Sequence, residues 1–232
     1  MKIIDATWEK RNLGVTCYEI EFSNEDKLSD IESNREKFFE RQYVVLKVPN
    51  NRADISAYVQ SQGAKYIESL ITFQCDLRNW KLPDSLKDLC ALSSYAPMND
   101  DDIEVMFSEI RKGIFKTDRV YLDPYFTKEQ AAQRYVNWSK DMLKQGYTPY
   151  KILYQGVTVG FYLHALAGVY SKFLGTGMGM FVQYACIDSS IKAGRTKAYA
   201  VVSSNNPEVV NIRIKLGCQI KSTNYIFVMH ND

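Results

Sequence analysis

Between Leu166 and Gly194 the chain reads LAGVYSKFLGTGMGMFVQYACIDSSIKAG, and this stretch limits the choice of fold more than any other. A short apolar run gives way to Gly175, Gly177 and Gly179, which alternate with Thr176 and Met178. Met180, Phe181, Tyr184, Ile187 and Ile191 then recur at helical spacing, and Gly194 stands where a helix stops. A strand, a glycine-rich turn and a helix in that order expose the first unpaired N–H groups of the helix. Those donors and the positive end of the helix dipole favour phosphate, and absent Cβ atoms let the backbone approach it closely. The pattern predicts a phosphorylated ligand on residues 173–179. The plainer reading, that the glycines only shape a strand–helix turn, stays open at this point.

Two better-known phosphate loops fit poorly. A P-loop follows its glycines with Lys and Ser or Thr, where this chain has Gly177-Met178-Gly179. A dinucleotide fingerprint would place its third glycine at Met180, and no acidic residue is obvious about 20 residues on.

Composition narrows the class. At 232 residues there is room for one large domain or two small ones. A hydrophobic content of 46% and a charged content of 24% describe an ordinary soluble globular protein. The net charge of +2 gives no electrostatic case for nucleic acid. There is no long uninterrupted apolar span, and the opening MKIIDATWEKRN is not a signal peptide, so the expectation is a cytoplasmic protein with no membrane partner. The five cysteines (Cys17, Cys75, Cys90, Cys186, Cys218) lack metal-ligand spacing and are expected as buried reduced thiols. Two histidines, His164 and His230, argue against a multi-histidine metal centre, and no metal is expected.

Taken in order, Val15–Phe22 alternates as a strand, Asp26–Arg41 is a charged helix candidate, and Tyr43–Val48 is a strand. Ala53–Gln62 reads as a helix closed by Gly63, and Lys65–Leu77 as a long strand. Residues 78–100, with Pro83 and Pro97, read as a connection between halves. A helix is expected over Asp100–Lys112. Another starts at Thr127 with Gln130 as a capping box and ends at Gly146, and Gln155-Gly156 makes a hairpin turn. Lys197–Val202 is a strand, Asn206 caps a helix with Pro207 in its first turn, and Cys218–Met229 is the last strand.

The spacing Lys172-x-x-Gly175-x-Gly177 resembles the acyl-CoA pyrophosphate loop of the GNAT superfamily of N-acetyltransferases, with Lys172 where Gln or Arg is usual. SSNNPEVVNIRIKLGCQI is similar to a second signature of that superfamily, an Asn before a short helix that ends in Leu-Gly, followed by an aromatic last strand. Trp8-Glu9, Leu13-Gly14-Val15 and FKTDRVYLDPYF ahead of a helix with Tyr135 and Trp138 resemble the TDP-fucosamine acetyltransferases. The resemblance implies an α/β protein with a mixed sheet. A GNAT-like acyl-CoA N-acyltransferase domain over residues 96–232 would follow a smaller α/β domain over residues 1–95. It implies acetyl-CoA as co-substrate and transfer of acetyl to the amine of a nucleotide-linked amino sugar, by direct attack in a ternary complex. The alternatives are another small amine or a protein N-terminus as acceptor, or an acyl-CoA-binding protein without turnover. A homodimer is left open.

Site residues follow from the same resemblance. Lys172, Phe173, Leu174, Gly175, Thr176, Gly177, Met178 and Gly179 would hold the pyrophosphate, with Asn206 beside it. Ala167 and Val169 lie in the strand that would offer a backbone N–H to the thioester carbonyl. No Asp or Glu occurs between Asp141 and Asp188, so His164 or a water is left as the base. Where the resembling enzymes carry a Tyr acid, this chain has Arg213, which stays charged and is either a fixed positive group for the thiolate or a surface residue. Tyr225 is the preferred acid. Arg119 is expected to hold an acceptor phosphate, with Tyr121 and Tyr125 stacking on sugar or base.

Overall fold

The computed structural model describes residues 1–231. The chain begins β1 (Lys2–Asp5), α1 (Trp8–Leu13), β2 (Cys17–Glu21), α2 (Leu28–Ser33), β3 (Tyr43–Pro49), α3 (Ala53–Ser61) and β4 (Lys65–Asp76). It continues with α4 (Asp84–Ala91), β5 (Ser93–Pro97), α5 (Asp100–Arg111), α6 (Arg119–Leu122) and α7 (Lys128–Lys144). Then come β6 (Tyr150–Tyr154), β7 (Val157–Leu163), β8 (Leu166–Val169), α8 (Gly179–Lys192), β9 (Lys197–Ser203), α9 (Pro207–Lys215) and β10 (Gln219–His230).

Local chemistry explains most boundaries. Thr127 and Gln130 form the expected capping box of α7, Asn99 and Asp102 form another on α5, and the Asn206 side chain accepts the Val209 N–H at 3.2 Å. Gln155 and Gly156 both take positive φ, 49° and 81°, as a tight hairpin with the right-handed strand twist requires. The charged stretch 26–41 is not one helix. After α2 the Asn34 amide folds back onto the Asp30 carbonyl at 2.7 Å, and a short 3₁₀ turn follows at Arg35–Phe38.

Two sheets result. Four antiparallel strands run β5-β6-β7-β8, and six run β1-β2-β3-β10-β4-β9. Residues 78–100 are therefore not a bare connection. They carry α4 and β5, Pro83 precedes the helix, and Pro97 ends an edge strand where its missing N–H costs nothing. The expected boundary at residue 95 falls within β5, and the six-stranded sheet takes strands from both sides of it.

The shared sheet has an internal repeat. β3, α3 and β4 recur as β9, α9 and β10 at a constant spacing of 154 residues, end for end. Pairing obeys the same relation. Asn224 lies opposite Pro49, its counterpart Leu70 lies opposite Ser203, and Asn224 and Leu70 face each other. A local twofold axis therefore passes between Asn224 and Leu70, and each half inserts its last strand beside the other half's. Only Val48 and Val202, Asn51 and Asn205, Gly63 and Gly217, and Phe73 and Phe227 are identical across the repeat. The halves differ where it matters. β2 pairs in parallel with β3, Cys17 to Tyr43 through Glu21 to Lys47. In the later half β8 and β9 follow the same strand–helix–strand order but lie in different sheets, so a gap opens between them.

Helices α2, α3, α8 and α9 cover one face of the six strands through Ile31, Val59, Ile187 and Ile212, and α1, α6 and α7 cover the other through Leu13, Val120 and Ala131. Among the described residues no helix is long and apolar enough to cross a membrane.

Candidate active site

The glycine loop follows β8 directly. Gly175 and Gly177 take φ of 75° and 84°, a region that other residues enter only at a cost. Phe173, Leu174 and Thr176 N–H groups turn back onto Tyr170, Ser171 and Phe173 carbonyls, and Met180 N–H onto Gly177. Among the described residues, the N–H groups of Gly175, Gly177, Met178 and Gly179 take no backbone acceptor. Four donors are thus left at the start of a 14-residue helix, where the dipole adds a partial positive charge. The loop is pinned from below by Glu109, whose Oε2 accepts the Ser171 N–H at 2.5 Å. Lys172 holds its ammonium over the Phe173 ring, 4.7 Å from the centroid, on the exposed side.

β8 supplies a second row of donors. Tyr170 N–H bonds to Val159 O at 2.9 Å, and antiparallel alternation then turns the Gly168 and Leu166 N–H groups toward β7 as well. Ala167 and Val169 present their N–H and C=O groups the other way, into the gap facing β9. β8 is the last strand of its sheet, so these groups have no strand partner. Gly168 allows a close approach, since a Cβ there would lie 2.8 Å from Phe161, 3.0 Å from Ile114 and 3.2 Å from Phe115. The starts of α8 and α9 meet at the gap, with Ile212 Cδ1 at 3.2 Å and Glu208 Oε1 at 3.5 Å from where a Gly179 Cβ would stand.

On the side of the gap away from α8 and α9 sits a carboxylate that sequence reasoning missed. Glu68, on β4, is 2% exposed. Its Oε1 accepts the Arg119 N–H at 2.8 Å, and its Oε2 has no hydrogen-bond partner. Glu68 shares a sheet face with Leu70, and Leu70 lies opposite Ser203 at the open end of β9. Burial pushes the Glu68 carboxyl up. The Ser203 side chain and the Arg119 charge pull it back, Asp118 adds a like charge, and the balance lies above the ordinary range. Asp118 caps α6 through the Tyr121 N–H at 3.1 Å and turns its other oxygen to the interior. Tyr135 is held protonated by burial and by Asp118, and its ring stacks on Phe115 at 4.3 Å. Phe115 in turn touches β8 at Gly168. A contiguous wall of Glu68, Asp118, Tyr135 and Phe115 therefore spans from β4 to β8.

Several expected site residues stand elsewhere. Arg119 is not free for a phosphate. Its Nη2 is shared between Glu19 at 2.5 Å and Glu9 at 3.3 Å, and Arg134 also holds Glu9, at 2.8 Å, in an interior network. Tyr121 packs over the same core with the Lys128 ammonium 3.9 Å above its ring. Tyr125 stacks on His230 at 3.7 Å, and His230 is bonded to Asp123 at 2.8 Å. His230 lies six residues along β10 from Asn224, so this pair is roughly 20 Å from the Ser203 end of the sheet. Tyr225 packs against Tyr66 on the opposite face from Glu68, and β4 separates β10 from β9. Arg213 is buried, not solvated, and lies two helical turns beyond Asn206 among thiols. His164 is exposed on the β7–β8 turn, stacked on Tyr147 at 3.8 Å, and burial followed by the Arg195 charge pushes its pKa down. The structure brings together the glycine loop, Ala167, Val169, Asn206 and Glu68, and none of the expected proton-transfer residues joins them.

No family model matches the chain, and no curated protein matches it. Solved structures do. The glucosamine N-acetyltransferase region of a fungal multi-domain β-N-acetylglucosaminidase superimposes with a TM-score of 0.59 at 11% identity, over 81% of this chain and 25% of that one. A GCN5-related N-acetyltransferase from Sphaerobacter thermophilus gives 0.54 at 10%, over 81% of this chain and 59% of that one. Another from Kribbella flavida gives 0.53 at 11%, over 92% and 80%. The mixed sheet that parts between β8 and β9, with a glycine loop leading into α8, is the fold of the GNAT acyl-CoA N-acyltransferases.

Proposed function

We propose that this protein is an acetyl-CoA-dependent N-acetyltransferase. The observation that carries the reading is the row of free N–H groups at Gly175, Gly177, Met178 and Gly179, placed beside an unpaired strand edge at the parting of two sheets. A pyrophosphate suits the first feature and an extended amide-bearing arm suits the second. No metal enters the proposed chemistry.

The residues divide the work as follows. An amine attacks only when neutral, so a proton must leave it. Glu68 Oε2 is an acceptor already desolvated and unpaired, and its raised pKa makes it a stronger base than an ordinary carboxylate. The Ala167 and Val169 N–H groups are donors fixed in place before the thioester carbonyl gains charge. The N-terminus of α8 is taken by the pyrophosphate, so the departing thiolate is left to the gap and the N-terminus of α9, whose dipole favours an anion. Direct attack in a ternary complex needs no covalent intermediate, and no thiol of the chain is required for it.

The acceptor to try first is the amine of a nucleotide-linked amino sugar, on the strength of the sequence resemblance alone. Arg119 contributes no phosphate contact to that choice. The test is release of free CoA thiol from acetyl-CoA against nucleotide-linked amino sugars, free amino sugars, small polyamines and peptide N-termini. Release with one class of amine supports the reading. Tight acetyl-CoA binding without turnover on any amine would leave an acyl-CoA-binding protein, and absence of binding would overturn both.

A further inference from the structure

Arg213 is a buried cation with no carboxylate beside it. The residue is 7% exposed, its Nε has no hydrogen-bond partner, and it enters no ion pair among the described residues. Its neighbours are thiols. Cys186 on α8 and Cys218, just before the last strand, both feel the charge of the guanidinium. Cys218 also packs with Cys75 of β4 in one buried cluster. Strand register explains that contact. Gln219 lies opposite Gln74, so one step further Cys218 comes opposite Cys75. Directly opposed residues of an antiparallel pair have Cα atoms about 4.5–5.5 Å apart. That lies inside the roughly 4.4–6.8 Å range that a disulfide spans. Both sulfurs are free thiols.

The electrostatics are asymmetric. Proximity to Cys75 and then the Arg213 charge pull the Cys218 thiol below the ordinary range, against burial, while proximity to Cys218 and burial push Cys75 up. These opposite directions make Cys218 the better nucleophile of the two and Cys75 the later partner. Cys218 is 6% exposed, and two residues before it the Leu216 carbonyl accepts the Trp80 indole N–H at 2.8 Å.

We propose that Cys75 and Cys218, opposed across β4 and the start of the last strand, are a reversible disulfide-forming site, with Cys218 as the attacking sulfur and hydrogen peroxide as the oxidant. The Cys218 sulfur attacks one peroxide oxygen, the O–O bond breaks, and hydroxide leaves to become water on taking a proton. The resulting sulfenic acid is attacked by the Cys75 sulfur, which gives up its proton. An S–S bond forms, the S–O bond breaks, and a second water departs. Two thiols lose two electrons and one peroxide gains them. A small-thiol reductant returns the pair to the reduced state. The bond ties β4 to the turn that follows α9, so it stiffens the helix whose Ile212 and Glu208 border Gly179. Cys186, on the other side of Arg213, stays free.

The test is peptide mapping without reductant after the full chain meets a small molar excess of peroxide. The expected result is loss of two thiols, one cross-link between the Cys75 and Cys218 peptides, and reversal by glutathione. Cys75→Ser should trap Cys218 as a sulfenic acid, captured by dimedone. Arg213→Met, which replaces a buried charge by an apolar chain of similar length, should slow thiol loss roughly tenfold in the folded protein and not at all in urea. A cross-link through Cys186, untouched thiols where free glutathione is oxidised, or equal rates for the wild type and Arg213→Met when folded would overturn the assignment.

Discussion

Replacing Glu68 by Gln separates catalysis from folding. The Gln side chain keeps an Oε1 that accepts the Arg119 N–H, now 2.8 Å from Glu68, so the backbone at the start of α6 keeps its partner. What is lost is the ability of the second atom to take a proton. A positioned general base contributes roughly 10²- to 10⁴-fold, or about 2.7–5.5 kcal/mol of barrier. Stability should move the other way. Burial raises the folded pKa of Glu68, so the folded state holds its proton more tightly than the unfolded chain does. Stability from this group is full below the unfolded pKa and falls as pH rises through the folded one. Above its folded pKa the charged Glu68 therefore works against folding, and Glu68→Gln should there unfold at an equal or higher temperature than wild type. Glu68→Ala is the contrast, because it strands the Arg119 N–H in the interior at a cost of about 1–3 kcal/mol. Steady-state kinetics with saturating acetyl-CoA, beside calorimetric melting, reads both effects. Glu68→Gln turning over within a factor of three of wild type would refute the base assignment. A lower melting temperature would refute the argument from desolvation.

Other perturbations test other links. Gly177→Val forces a β-branched residue to φ near 84°, which costs about 1–2 kcal/mol of stability, and it should weaken acetyl-CoA binding at least tenfold by titration calorimetry on a variant shown to be folded. Arg119→Ala leaves Glu9 and Glu19 short of a buried partner and should cost about 3 kcal/mol, read as a fall in melting temperature of roughly 6–12 °C. The acceptor KM of the remaining folded enzyme should not single out the nucleotide. Burial alone would raise Glu19, but the Arg119 and Lys47 charges outweigh it and lower it to about 2. Its contribution is present above the unfolded carboxylate pKa and is lost as pH falls toward 2, so the urea midpoint of Glu19→Gln should depend less steeply on pH below 4.5 than that of wild type.

Much of the later half was legible because its signals are local. Glycines that alternate before a helical apolar stripe, Asn206 ahead of Pro207, and Thr127 three residues before Gln130 each act within one turn of chain, and each formed as read. What escaped depends on partners far along the chain. Alternation in Cys218–Met229 shows a strand with two faces but not that it inserts between β3 and β4. Glu68 lies in a run that reads simply as a strand, and only the shared sheet brings it beside Ser203, 135 residues on. A search for a base confined to the strands around the glycine loop could not reach it. Arg119 sits in a turn-rich segment that suggested exposure. Its burial follows from Glu9 and Glu19, two residues with no sequence mark of a shared network. A paired interior Arg and a free surface one look alike until both partners are placed. The 154-residue repeat kept its geometry with four identities, since strand pairing needs pattern and length more than identity.

Diffraction from crystals grown with acetyl-CoA tests the central claim most directly. The account predicts the pyrophosphate within hydrogen-bonding distance, about 3 Å, of the Gly175, Gly177, Met178 and Gly179 N–H groups. It also predicts the pantetheine arm along the Ala167 and Val169 edge of β8, with the thioester in the gap and its carbonyl carbon open to the Glu68 side. Acetyl-CoA bound elsewhere on the surface, or a gap that stays empty at saturating ligand, would contradict it.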